Sequence, residues 1–387
     1  METNFDIIII GSGPAGLNAA LHALSGKPRP KVFLVDKQPS WEKPIACAEG
    51  VWCEPLHEAI EVKKEWVRLL ISKAVLHSPN GNCITYFDKE KGCIINRAKM
   101  QGDMAKSCIS MGAFTDFNDR VMEITPVENG LRCVHFQSGK TAFTKIVIDA
   151  SGPLSNFGKT ESLQCKPQDL EPAYFGIAEN TGVENDAIHV FLGKSIAPGG
   201  YAWAFPREDG MANVGLVIGK DFKGSVDIKK LMADFMQQFY PKATIIRRFA
   251  GTIPCEARPA CVAIPGFFKA GDAAGTVNPI SRAGITEALC CGGMAAQFAL
   301  SMLAATTFLQ KKEICRQYQD AWLEKIGTKH GRLSNVKKVL AKIPDNDYNK
   351  AFGALGKIPQ DKLTISKIIR LSLGRSPGLV FAMRHLM

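Results

Sequence analysis

Three glycines and two aspartates stand out as residues whose spacing could do chemistry. Gly11, Gly13 and Gly16 form a G-x-G-x-x-G pattern in GSGPAG, and Asp36 follows Gly16 by 20 residues. The first glycine permits a tight turn, the second lets backbone approach a pyrophosphate, and the third lets helix and strand pack closely. A helix N-terminus behind them favours phosphate charge, and Asp36 can bond a ribose hydroxyl. Pro14, Ala15 and Lys37 flank these positions and complete the expected cofactor set at this end. Far along the chain, GDAAGTVNPISRAGITEAL holds a second carboxylate, Asp272, between Gly271 and Ala273.

Such residues need particular elements behind them. DIIII at 6–10 is a short, fully apolar run suited to a central parallel strand. It leads into a helix-like stretch to about Ser25 and then a second apolar run, KVFLVDK. Strand, glycines, helix, strand and acid are therefore in register for a dinucleotide-binding unit. A nicotinamide enzyme usually completes its site with further units soon after. Here the next strand, turn and helix with an acid is FFKAGDAAGTVNPISRAGITEAL. Two grips at opposite ends of the chain suit a long dinucleotide, FAD. Asp272 would then hold the ribitol or pyrophosphate region, and the helix beginning near Gly284 would aim its positive end at the isoalloxazine N1 and C2 carbonyl.

Between the two grips, VENDAIHVFLG, GYAWAFP and MANVGLVIG read as consecutive antiparallel strands, the last two joined by REDG at 207–210. Tyr201, Trp203 and Phe205 alternate, so their side chains share one face. Asn213, Gly215, Val217 and Gly219 share a face that is largely small. An aromatic wall beside a nearly bare strand predicts a groove for something long and apolar, while an aromatic sandwich core is the plainer alternative.

Composition bounds the rest. With 387 residues, 46% of them hydrophobic, the chain can form two domains or one large composite. The apolar stretch from Gly292 to Leu309 is interrupted by Gln297, Ser301, Thr306 and Thr307, which favours a helix buried on a sheet over a membrane span. DIIII lacks a preceding basic region, so no secretory signal is expected. Twelve cysteines without CxxC spacing predict free thiols and a cytoplasmic location. Seven histidines show no metal-ligand spacing, so no metal site is expected. From Lys325 onward there are 13 Lys and Arg against three Asp, whereas the remainder has 35 basic and 34 acidic residues. That basic tail suits an anionic membrane surface or is a solvated helical face; no nucleic-acid-binding motif accompanies it.

These residues carry a resemblance. The glycine turn and the GDAAG segment look like the FAD domain of the glutathione-reductase-like superfamily, in the branch of hydroxybenzoate hydroxylase, flavin halogenases and geranylgeranyl reductases. GYAWAFP followed by ANVGL resembles the signature of the geranylgeranyl reductase family, whose corresponding sheet lines a prenyl-chain tunnel over the flavin. KPIACAEGV at 43–51 is similar to that family's C-G-E-G loop, with Ala48 replacing a glycine, and GDAAGTVNPISRAGI resembles GDAAGxxNPxTGGGI, with Arg282 and Ala283 at usually small positions. The likeness runs from Met1 to about Leu309. It implies an α/β (α+β composite) fold: a Rossmann-like FAD-binding domain of 1–70, 94–165 and 262–310, an antiparallel-sheet substrate domain of 71–93 and 166–261, and a basic helical C-terminal region of 311–387.

The resemblance also implies roles. Cys47, Gly50, Arg97, Val121, Pro279, Gly284 and Ile285 join the FAD site, Arg97 at the phosphate or ribose region and Val121 against the adenine. Tyr201, Trp203, Phe205 and Gly215 would hold a prenyl chain, and Arg282 a flavin or substrate phosphate. The implied reaction is reduction of isolated C=C bonds of geranylgeranyl chains on a lipid or diphosphate, with hydride from flavin N5 and a proton from Cys47, Glu49 or bound water. Electrons would come from a separate reductant such as ferredoxin, or from transiently bound NADPH. Two rivals share the fold: a flavin monooxygenase or halogenase, and a prenyl-chain escort resembling the Rab escort and GDP-dissociation-inhibitor family. Tyr201 and Phe205 depart from the halogenase W-x-W-x-I-P segment, and the intact glycines, Asp36 and Asp272 point to FAD, which an escort does not need for chemistry.

Overall fold

A computed structural model describes residues 4–39, 41, 45–163, 167, 169–256 and 261–358. In chain order the strands are β1 Asn4–Ile10, β2 Val32–Val35, β3 Gly50–Trp52, β4 Val67–His77, β5 Cys83–Ile95, β6 Phe114–Asp116, β7 Val121–Ile124, β8 Arg132–Phe136, β9 Thr141–Asp149, β10 Leu170–Glu179, β11 Ala187–Phe191, β12 Tyr201–Pro206, β13 Ala212–Val217, β14 Thr244–Pro254, β15 Ala263–Ile264 and β16 Phe267–Lys269. The helices are α1 Pro14–Leu24, α2 Cys53–Ala59, α3 Arg97–Ser110, α4 Ile228–Phe239, α5 Ile285–Ala304, α6 Phe308–Trp322, α7 Thr328–Leu340 and α8 Asp345–Leu355.

The strands make two sheets. The first runs β15-β16-β9-β1-β2-β6, with β8 and β7 branching from β9. Its central strands β16, β9, β1, β2 and β6 are parallel. Ile7, Ile8 and Ile9 are wholly buried there, as a strand covered on both faces requires. The second sheet runs β14-β10-β13-β12-β11-β4-β5-β3 and is antiparallel except where β11 meets β4. The α/β composite expected from the sequence is the fold observed.

The second sheet begins earlier in the chain than residue 71. Gly50–Trp52 pair with Gly92–Ile94, and Val67 pairs with Ile95, so β3 and the start of β4 belong to it. The stretch after the glycine-turn unit therefore crosses from one sheet to the other and carries the Cys47 loop across the gap.

The apolar helix α5 packs on α1. A side chain at Gly292 would sit 2.0 Å from the carbonyl oxygen of Ala15, and the Asn18 amide donates to the Leu289 carbonyl at 2.8 Å. Absence of a side chain at Gly292 is what lets the two backbones approach, and Asn18 then closes a polar link that apolar contact alone would leave open. α6 continues the layer, its Tyr318 hydroxyl donating to the Lys269 carbonyl at 2.6 Å. α8 crosses to the second sheet, where Phe352 and Leu355 pack on Ile84 and Asp345 accepts from the backbone N–H groups of Lys194 and Ser195. The helices after residue 308 thus tie the two sheets together. The final part of the basic tail, 359–387, lies outside the described residues.

Candidate active site between the two sheets

The glycine turn is built as its spacing predicts. Gly11 has φ +102°, and a side chain there would meet the Ala150 carbonyl oxygen at 2.3 Å. A side chain at Gly16 would stand 1.8 Å from the Gly11 carbonyl oxygen. Both positions exclude any larger residue. Gly13 differs, because a side chain there would meet nothing within 4 Å and would project into open space. That space is the cradle a pyrophosphate needs. Pro14 opens α1 at a position where its missing N–H costs no bond, and Gly13 caps the helix.

Asp36 follows β2 and accepts from the backbone N–H and the hydroxyl of Ser12, both at 2.6 Å. It holds the glycine turn and faces the same cavity. Gly271, at φ +60°, brings the second grip against α1, where an added side chain would lie 2.8 Å from the Ala15 Cβ. The two aspartates, distant in sequence, thereby reach one cavity of about 1090 Å³. Gly11, Gly13, Pro14, Ala15, Asp36, Lys37, Arg97, Val121, Gly271, Asp272, Gly284 and Ile285 all line it. Gly284 caps α5, so that helix opens at the cavity wall. These residues fit a dinucleotide of FAD's length and charge. Gly16 and Pro279 do not line the cavity: Gly16 serves the α1–β1 packing, and Pro279 sits in the turn before α5.

The same cavity continues along the second sheet. Tyr201, Trp203 and Phe205 pair with Val217, Gly215 and Asn213 respectively, so all six face one way. The aromatic residues line the cavity, as do Phe175, Ile188 and Val190. Gly215 does not, and here the expectation of a bare strand is corrected. A side chain at Gly215 would meet the Phe175 Cβ at 2.1 Å and the Trp203 ring at 2.7 Å. The small residue is needed because neighbouring aromatics occupy its space.

Trp203 also has a polar task. Its indole N–H donates to the Asn213 side-chain oxygen at 2.9 Å, and the Asn213 amide donates to the Cys47 carbonyl at 3.0 Å. The aromatic strand therefore anchors the Cys47 loop. Cys47, Glu49 and Gly50 line the cavity where the nucleotide end meets the aromatic end. Phe205 packs on Gly50, whose missing side chain would stand 2.9 Å from the ring. Lys43 and Pro44 of this motif lie outside the described residues.

Glu49 is engaged on both oxygens. One accepts from the Arg97 backbone N–H at 3.0 Å, at the start of α3, and the other meets the Arg207 guanidinium at 2.5 Å. With φ 63° and little exposure, it fastens the loop to α3 and to the turn after β12. This geometry gives Glu49 a positioning task, and its backbone N–H donates to the Cys47 Sγ at 3.3 Å, which leaves the thiol its own proton. The Arg97 side chain donates to Gln101 at 2.7 Å and still faces the cavity.

Arg282 is half-buried as a residue but only 6% exposed at its side chain, and it has φ 58°. Its guanidinium meets Glu171 at 2.8 Å, donates to the Ile280 and Gly199 carbonyls, and lies 5.0 Å from the Tyr201 ring centroid. Most of its donors are committed to protein acceptors, so it braces the wall of the cavity that it also lines. Burial opposes its charge, and Glu171 outweighs that cost, leaving its pKa raised. Glu171 lies in no motif that would have marked it, and Asn213, although inside ANVGL, reads from the sequence only as part of a largely small face. Among the described residues no cluster of His, Cys, Asp and Glu suited to a metal is present.

With this geometry in hand, likeness to other proteins becomes informative. The geranylgeranyl reductase catalytic-domain pattern matches residues 169–253, and the lycopene cyclase protein pattern matches residues 6–168. A digeranylgeranylglycerophospholipid reductase of Methanothrix thermoacetophila is 27% identical over 98% of this chain and 99% of its own. The structure of a geranylgeranyl bacteriochlorophyll reductase-like protein from Thermoplasma acidophilum covers both chains completely with a TM-score of 0.88 at 24% identity. A flavin-dependent brominase, 16% identical with a TM-score of 0.66 over 99% of this chain and 98% of its own, shares the fold alone. Along nearly its whole length in sequence, and in fold, this chain is similar to proteins of the geranylgeranyl reductase family.

Proposed function

We propose that the protein is an FAD-dependent oxidoreductase that reduces isolated C=C bonds of prenyl chains carried on a lipid or diphosphate. The observation that carries this reading is the continuity of one cavity from the phosphate-binding glycines, past the Cys47 loop, to the wall of Tyr201, Trp203 and Phe205. FAD, when bound, supplies the hydride for alkene reduction. The chain's own part is to exclude water, hold the alkene and deliver a proton. The aromatic wall does the first two, since a long apolar chain gains roughly 25 cal/mol per Å² of apolar surface buried against it. Cys47, held by Asn213 through its backbone, is positioned to give the proton from Sγ.

An external reductant, ferredoxin or NADPH, completes the proposal, because no second nucleotide fingerprint follows the first. A cytoplasmic location with peripheral contact to an anionic membrane surface fits both an insoluble substrate and the basic residues after Lys325. The eleven described cysteines are all unpaired, in keeping with such a compartment.

The test is anaerobic incubation of dithionite-reduced, flavin-loaded protein with geranylgeranyl diphosphate and with a digeranylgeranylglycerol phospholipid, read by mass spectrometry. Gain of hydrogen pairs coupled to flavin reoxidation supports the reductase and identifies the preferred head group. No mass change with fully loaded protein would overturn it, and oxygen consumption dependent on an added substrate would favour monooxygenation.

A further inference from the structure

The basic C-terminal region reads from the sequence as a solvated or membrane-facing surface, yet one of its lysines points inward. Lys337, near the end of α7, is 9% exposed. Its ammonium meets Asp169 at 2.5 Å, Glu171 at 2.9 Å and the Cys255 carbonyl at 3.0 Å. Glu171 is 1% exposed and divides its carboxylate: one oxygen accepts from Lys337, the other from Arg282. Arg282 in turn lies over the Tyr201 ring, whose hydroxyl donates to the Ser281 carbonyl at 2.5 Å.

Two carboxylates and two cations thus form a largely buried group that joins α7, the start of β10, the turn before α5 and the aromatic strand. Opposite charges balance only when all four are present. Removing one cation leaves a buried carboxylate without compensation, and the remaining cation must serve both acids. Arg282 is the partner able to respond, and it is also the one that touches the cavity wall. Its positive φ and its bonds to Ile280 and Gly199 define the turn that leads through Ala283 and Gly284 into α5. A shift of that guanidinium moves both Tyr201 and the opening of α5.

We infer that Lys337 is a positioning residue for the active site, acting through Glu171 and Arg282 to fix Tyr201 and the turn before α5 against the cavity. The inference rests on the proposed reductase only for its activity arm. It assigns the C-terminal helices a share in the chemistry of a site that they do not line.

The experiment compares flavin-loaded wild type, Lys337→Met, Lys337→Arg, Tyr201→Leu and the Lys337→Met/Tyr201→Leu double variant. Bound-flavin content and the position of the flavin visible band are measured first, then single-turnover reduction of a prenyl substrate. Lys337→Met should retain flavin but shift its band, and should lose about tenfold or more in turnover, since sub-ångström misplacement in a positioned site has effects of this size. Lys337→Arg should restore most of both. In the Tyr201→Leu background, removing Lys337 should cost clearly less than it does in wild type, because part of its effect passes through that ring. A Lys337→Met protein that binds flavin with an unshifted band, or a fully additive double variant, would overturn the inference. If Lys337→Met does not fold, Lys337→Gln replaces it and the same two criteria apply. Should no protein reduce the alkene, the reductase reading fails while the band comparison still decides the role of Lys337.

Discussion

The two ends of the cavity are built on opposite principles. The nucleotide end is made by taking side chains away: Gly11 and Gly16 admit no larger residue, and Gly13 leaves space facing the cavity. The aromatic end is made by bulky side chains, Tyr201, Trp203 and Phe205, held in place by polar links from Asn213, Glu171 and Arg282. Phosphate recognition uses backbone groups, which every residue supplies once the turn is possible. Holding an apolar chain requires shape, and shape must come from side chains packed across several strands. One end is therefore set locally, and the other is set by the whole sheet.

The hardest test of this contrast is at the glycines. Gly16→Val should abolish bound flavin and lower folding yield, because its side chain collides with the Gly11 carbonyl. Gly13→Ala should keep the melting temperature of the flavin-free protein while weakening flavin binding, since the added methyl fills only the cradle. Flavin absorbance of purified protein and thermal unfolding distinguish the two. Equal loss of stability in both would break the distinction between a packing glycine and a cradle glycine.

At the junction of the two ends, Cys47→Ala should leave flavin content intact and reduce alkene reduction by about 10²-fold, the usual worth of a positioned proton donor. Single-turnover kinetics under dithionite reduction would measure it, and wild-type turnover would remove Cys47 from the chemistry. A smaller effect is expected from Asn213→Leu, which deprives Trp203 of its acceptor and the Cys47 loop of its donor. Destabilisation of about 1–3 kcal/mol and slower turnover with unchanged flavin affinity should follow, checked by chemical unfolding and flavin titration.

The last effect is confined to acid. Burial pushes His77, on β4, and His330, on α7, down to about 4, and contact with His189 adds to the first. In the unfolded chain such histidines take up protons near pH 6.5, while the folded protein resists until about pH 4. Unfolding therefore binds protons across that window, and stability should be highest above it and fall as pH drops from about 6.5 toward 4. Melting temperature against pH measures the slope, and His330→Leu should flatten it. A slope unchanged in that variant would place the acid sensitivity elsewhere.

Legibility in the sequence followed the same division. GSGPAG, Asp36 and the apolar runs around them predicted β1, α1 and β2 nearly residue by residue, because turn, helix start and strand are set by neighbours. The alternation in GYAWAFP correctly put three aromatics on one face. Gly215 was misread for a physical reason: its smallness answers to Phe175 on the adjacent strand β10, which the alternation within one strand cannot register. For Arg282 the resemblance implied a flavin or substrate phosphate, and the structure adds a pairing of its charge with Glu171 that the sequence did not suggest. Glu49, a candidate acid by its place in the loop, is also tied to the Arg97 backbone and to Arg207, contacts that its position in the sequence does not record.

By itself the sequence determined the two halves of the nucleotide grip, the strand that carries the aromatic wall and the resemblance that unites them, since each half and the strand are short runs whose turn, helix start or alternation is set by neighbouring residues. Only the tertiary structure decided which carboxylates are spent on positioning, that the second sheet begins at β3, and that Lys337 reaches Glu171 across 166 residues of chain. The reason is that charge pairing and packing act through space. A buried charge must find its partner wherever the fold brings one, and nothing in its own neighbourhood of sequence records where that is.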